Sequence, residues 1–79
     1  MSVSVEHPTG RENFYIVWAD EQAVAFSYKT IIGVNQLNGS GWLVAKNEWG
    51  PTTGKHLNYL EADKSKRIPQ AEVEALVRI

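Results

Sequence analysis

The chain has 79 residues, no cysteine and a formal net charge of −1. That length makes one domain with a small core, and the missing cysteine removes disulfides, thiolate zinc sites and Cys nucleophiles together. The near-neutral charge gives no global positive field to draw in nucleic acid, no apolar run approaches a membrane span, and the start of the chain lacks a signal peptide's basic and apolar segments, so a cytoplasmic protein is expected.

Residues 1–12 are polar and read as a flexible lead-in, with a short edge strand at residues 3–5 as its one structured option. Residues 13–79 form a single domain. Residues 13–18 (NFYIVW) are dense in aromatic and β-branched side chains and predict the first strand. Asp20, Glu21 and Gln22 follow as a polar turn. Residues 23–28 (AVAFSY) alternate, with Val24, Phe26 and Tyr28 on one side and Ala23, Ala25 and Ser27 on the other, which is the period of a strand. Residues 30–35 (TIIGVN) continue the β pattern, with Lys29 at a turn, bulge or through-going position. Gly33 marks a bulge or a close backbone approach. Asn38-Gly39 is a strong hairpin signal, and it pairs residues 30–36 with the return strand at 42–47.

Past Gly50-Pro51 the pattern changes. Thr52 and Thr53 suit helix N-caps, and residues 55–62 (KHLNYLEA) carry Leu57 and Leu60 at helical spacing. Residues 63–67 (DKSKR) form a charged connector. Pro69 sits where a helix takes its first residue. Gln70, Glu72 and Glu74 load its first turns with polar and acidic groups, and Val73, Leu76 and Val77 give the apolar stripe of a terminal helix over residues 69–77. The fold class is α+β: an antiparallel meander of three to four strands with one or two helices packed on one face.

The segment Gly50-Pro51-Thr52-Thr53-Gly54-Lys55-His56 looks like a phosphate loop but is one residue short between its glycines, and His56 stands where Ser or Thr is needed. It reads as a turn and helix start whose free N–H groups, with Thr52, Thr53 and Lys55, could hold a single phosphate or carboxylate. His56 is the sole histidine of the structured part. Ser27, Thr52 and Thr53 match no nucleophile spacing, and a Ser–His pair would need the tertiary fold to make it. His7 and His56 show no metal-ligand spacing. The carboxylates at Asp20-Glu21 and Glu61/Asp63 read as solvated turns. Lys64, Lys66 and Arg67 form a local basic cluster, with Lys55 and the aromatics Trp42, Trp49 and Tyr59 in the same half, a composition that single-stranded nucleic-acid binders use. Trp49, beside the Gly-Pro turn, is the tryptophan placed to act as a protein-contact anchor.

Phe26-Ser27-Tyr28-Lys29-Thr30-Ile31-Ile32, Trp42-Leu43-Val44 and Asn47-Glu48-Trp49-Gly50-Pro51-Thr52-Thr53-Gly54-Lys55-His56-Leu57-Asn58 follow the order FSYxTxI, WxV, NxWxxTTGKHxN. In this the chain resembles a family of small domains of unknown function found in phage and other mobile-element proteins. The departure is Gly50-Pro51, where the family carries a Ser and a variable residue, which speaks against a Ser-based role there. The resemblance implies a phage or mobile-element origin and no mechanism.

The expected function is a non-enzymatic protein-binding module acting on a host or phage protein, with inhibition of host defence as one concrete form. Its candidate surface is Trp49, Thr52, Thr53, Lys55, His56, Tyr59, Lys64, Lys66 and Arg67, with no catalytic, cofactor or metal site. The alternative is a small nucleic-acid-binding module using Lys55, Lys64, Lys66, Arg67 and the aromatics. A hydrolase or transferase built on His56 with Thr52 or Thr53 is the least favoured. Open sheet edges also favour a homodimer.

Overall fold

In residues 14–18 (FYIVW) every side chain is apolar or aromatic, so a strand made from them has two faces to cover. The computed structural model, which describes residues 3–39, 41–46 and 51–78, covers both. Strands β1 (Ser4–Glu6), β2 (Phe14–Trp18), β3 (Ala23–Ser27), β4 (Thr30–Asn35) and β5 (Trp42–Val44) lie in chain order in one antiparallel sheet. Helix α1 (Pro51–Leu60) packs Leu57 and Leu60 on the face that carries Phe14, Ile16, Ala23, Ala25 and Ile32. Helix α2 (Gln70–Leu76) packs Val73 on the other face, against Val24 and Val34.

Two expectations are thereby corrected: there are five strands, not three to four, and the two helices lie on opposite faces of the sheet. The added strand is β1, which forms within a residue of the edge strand that the lead-in was read as allowing at residues 3–5, and pairs with β2 at Ser4↔Trp18 through Glu6↔Ile16. Small residues explain the second layer. Ala23, Ala25 and Gly33 leave a shallow surface that α1 fills closely. A Cβ at Gly33 would come within 3.2 Å of both Leu60 Cδ1 and Val44 Cγ1. The bulge signalled by this glycine is also present: Ala25 opposes Gly33 and Phe26 opposes Ile31, so Ile32 is the extra residue. It is buried in the α1-side core.

The β4–β5 hairpin forms at the expected place, with Asn35 opposite Trp42 and Gly39 at φ 91°. A rung is added beyond β5. Ile68 pairs in parallel with Ala45, donating to the Val44 carbonyl and accepting from Lys46 N, both at 2.9 Å. That edge is thus partly closed, while β1 leaves Val3 and Val5 exposed at the other. Helix α1 begins at Pro51, so Thr52 and Thr53 lie inside its first turn and are not N-caps; proline tolerates this position because its missing N–H would have no intrahelical partner. The C-terminal helix agrees with its expected span to within a residue, with Pro69 as N-cap.

Gln22 is not a turn residue exposed with Asp20 and Glu21. It is fully buried and ties the sheet to the end of α2. Its Nε2 donates to Gln36 Oε1 (2.8 Å) and to the Leu76 carbonyl (2.6 Å), and its Oε1 accepts from Arg78 N (2.8 Å).

Candidate functional site

The inner side of α1 presents Thr53, His56, Leu57 and Leu60 at i, i+3, i+4 and i+7. The two leucines enter the core. Thr53 and His56 meet the end of β3, where Ser27 is the last strand residue. Ser27 Oγ lies 2.7 Å from His56 Nδ1 and 3.1 Å from Thr53 Oγ1. Ser27 is 2 % exposed, so no solvent replaces these partners. The imidazole stacks on Phe14 with centroids 4.5 Å apart and planes 9° from parallel. Burial lowers the His56 pKa below its ordinary value of 6.5, which keeps the ring neutral at neutral pH.

In front of this buried trio lies a cleft of about 450 Å³. Helix α1 supplies Thr52, Lys55 and Tyr59 to it, the β1–β2 connection supplies Thr9, Arg11 and Asn13, and the β3–β4 turn supplies Tyr28. That turn is unusual. Tyr28 and Lys29 both have positive φ, 50° and 71°, a conformation hairpin turns normally give to Asn or Gly. The Tyr28 hydroxyl is held by Asn13 Nδ2 at 2.9 Å. Tyr28 is 57 % and Tyr59 is 56 % exposed, two large aromatic rings at the walls of one cleft. Among the described residues no carboxylate lines it, and neither the Arg11 nor the Lys55 side chain has a hydrogen-bond or ion-pair partner. The cleft is therefore a cationic, aromatic-walled recess with a neutral imidazole in its floor.

Of the residues singled out from sequence, Thr52, Lys55, His56 and Tyr59 meet in this cleft, and Thr53 stands behind it. Lys66 and Arg67 do not. Arg67 Nη2 donates to Asn58 Oδ1 at 2.6 Å, which docks it on the outer side of α1. Lys66 is exposed in the 3-10 turn Lys64–Lys66. Trp49 and the Lys64 side chain lie outside the described residues. Asp63 accepts from the Ser65 amide (3.0 Å) and hydroxyl (2.6 Å), bonds that lower its pKa and make the segment the expected turn.

Sequence reasoning missed Thr9, Arg11, Asn13, Ser27 and Tyr28 as site residues. The Ser–His pair that no spacing signalled is formed by the fold. A signal existed for Ser27 and Tyr28: the motif resemblance puts them in one pattern with Thr53, Lys55 and His56, and the structure brings the two blocks of residues together. Nothing in the sequence pointed to Thr9 or Arg11. Among the described residues no group of three or more His, Cys, Asp or Glu could hold a metal ion, and no helix is long and apolar enough to cross a membrane.

No curated protein and no solved structure matches the chain. The model of a family of unknown function, DUF8033, matches residues 4–75, from the first strand to the last turns of α2. The match spans nearly the whole chain and includes every residue of the cleft, so this protein belongs to DUF8033, a family of unknown function.

Proposed function

We propose that the domain is a non-enzymatic protein-binding module whose contact surface is the cleft beside α1. The observation that carries this is the pairing of Tyr28 and Tyr59, both more than half exposed, with Arg11 and Lys55 in one recess. Tyrosine and arginine dominate the energetically important positions of protein interfaces, because they present large contact area with few rotatable bonds. The positive φ at Tyr28 supports the same reading. Strain kept at an exposed aromatic is characteristic of a site whose geometry is used. An enzymatic reading draws on the Ser27–His56 bond, but the Ser27 hydroxyl is sealed from the cleft and gives a substrate no approach. The motif resemblance supports a phage or mobile-element setting, and with it a host or phage protein as partner.

The test places a photo-crosslinking amino acid at Tyr59 and exposes the protein to extract of its host cell. The expected result is one dominant crosslinked protein, lost on adding Tyr28→Ala or Lys55→Glu and retained on Val5→Ala at the remote β1 edge. Crosslinks that are diffuse, or that survive both cleft substitutions, contradict the proposal.

A second reading, nucleic-acid binding, draws on the same tyrosines, which could stack bases beside Lys55 and Arg11. It predicts affinity for single-stranded oligonucleotides that falls steeply with salt, and no binding at low salt removes it.

A further inference from the structure

The floor of the cleft offers a directed donor as well as charge. His56 is only 6 % exposed, and its Nδ1 is taken by Ser27. Its Nε2 has no protein partner among the described residues. Nor is it one of the sealed, unpartnered atoms, which are Asn13 Oδ1, Arg67 Nε and Gln70 Oε1. The ring lines the cleft and its Nδ1 is taken by Ser27, so Nε2 is the ring nitrogen left for a ligand there. A ligand atom is the natural partner for a polar group held in this way.

Which role Nε2 plays depends on the hydroxyls behind it. Ser27 Oγ has two neighbours, Thr53 Oγ1 and His56 Nδ1, and one hydrogen to give. If Thr53 donates to Ser27 and Ser27 donates to Nδ1, the imidazole proton sits on Nε2 and points into the cleft. In the reverse direction Nε2 would be an acceptor facing two cations. Among the described residues neither Arg11 nor Lys55 has a side-chain partner there, and both attract a negative group, so only the first arrangement gives all three side chains the same ligand. The first half of α1, which contributes Thr52 and Lys55, adds the positive end of its dipole.

Building on the binding-module reading, we propose that the cleft captures an oxyanion carried on a partner peptide, the carboxylate of Asp or Glu or the phosphate of a phosphorylated residue. Arg11 and Lys55 flank the anion, and a neutral His56, fixed as its Nε2–H tautomer by the Thr53–Ser27 hydroxyl chain, donates to it. A neutral donor suits this position, because a third cation beside Arg11 and Lys55 would have to be buried against like charge.

The experiment records imidazole nitrogen-15 spectra of the full chain at pH 7.5, free and during titration. The probes are a glutamate-rich octapeptide, the same length of peptide carrying phosphoserine, a neutral octapeptide and oligothymidylate. The free protein should show His56 protonated at Nε2 and bare at Nδ1. At least one anionic peptide should shift the Nε2 signal, and the stronger of the two identifies the source of the anion. Lys55→Gln and Arg11→Gln, both at exposed side chains, should each weaken that binding by about tenfold. A proton on Nδ1, an Nε2 signal that neither anionic peptide moves, an affinity indifferent to both substitutions, or a response to oligothymidylate alone would overturn the assignment. A partner crosslinked at Tyr59 with no response to either peptide leaves the binding module and removes the oxyanion. Oxyanion binding with no crosslinked partner does the reverse.

Discussion

Replacing Ser27 with alanine removes one oxygen atom and creates almost no cavity, so the loss measures the buried polar trio itself. Two hydrogen bonds disappear, to His56 Nδ1 and to Thr53 Oγ1. Each is worth about 0.5–1.5 kcal/mol net. The nitrogen left behind cannot turn to water, because the surrounding residues are buried, and a sealed, unpaired polar group costs about 1–3 kcal/mol. These contributions overlap, and a total of about 2–3 kcal/mol follows. For a chain of this size that lowers the melting temperature by about 8–24 °C, read by circular dichroism. The companion variant, Ser27→Ala with His56→Phe, keeps a ring stacked on Phe14 and removes the orphaned nitrogen. It should recover about 1 kcal/mol of the loss, since replacing both partners of a buried bond costs less than removing one. The reasoning is refuted if Ser27→Ala melts within a degree or two of the parent, or if the double variant is less stable than the two single losses added together.

Acidification gives a second readout of the same trio. Unfolded His56 titrates near 6.5, while burial holds the folded pKa lower, so between those values the unfolded chain binds more protons. Stability should be full above pH 6.5 and fall as the pH drops through that window; denaturation midpoints at pH 7.5 and 5.5 should differ more in the parent than in His56→Phe, and equal differences would contradict this. Lys29→Gly relieves a left-handed backbone at φ 71°. It should stabilise by about 0.5–1 kcal/mol once glycine's extra freedom in the unfolded chain is subtracted, and a lowered melting temperature would count against the strain argument. Gln22→Ala deletes three part-buried hydrogen bonds, two of which, to Leu76 and Arg78, secure the end of α2. It should cost about 2–3 kcal/mol, with amide exchange accelerated first in α2; uniform acceleration throughout the sheet would show that Gln22 does not act as the local clamp.

Local signals carried the elements well and their arrangement poorly. The β4–β5 hairpin was legible because Asn38-Gly39 and the alternation around it act within a few residues. The α2 helix was legible because Pro69, the early acids and the spacing of Val73, Leu76 and Val77 all agree. The two-layer cover was not, although β2 and β3 carry apolar residues on both sides, because small side chains such as Ala23 and Ala25 do not announce a helix packed on them. Gln22 looked like its neighbours Asp20 and Glu21, and only the position of the chain's end makes it interior. The site suffered most. Ser27 and His56 are 29 positions apart, and their meeting depends on which face α1 covers and in what rotation. The motif resemblance held both blocks of residues, but without the fold they remained two separate strings. A turn at Lys29 was one of three readings left open; the left-handed backbone of Tyr28 and Lys29 was hidden, because those residue types rarely adopt it.

The central claim is that partners dock in the cleft beside α1. It is tested most directly by the hydrogen-exchange footprint left on this chain by whichever protein is captured through the Tyr59 crosslink. Protection over residues 9–13, 28–29 and 52–59 is the result expected. Protection confined to residues 3–6 at the open β1 edge, with the cleft exchanging as in the free protein, would contradict it.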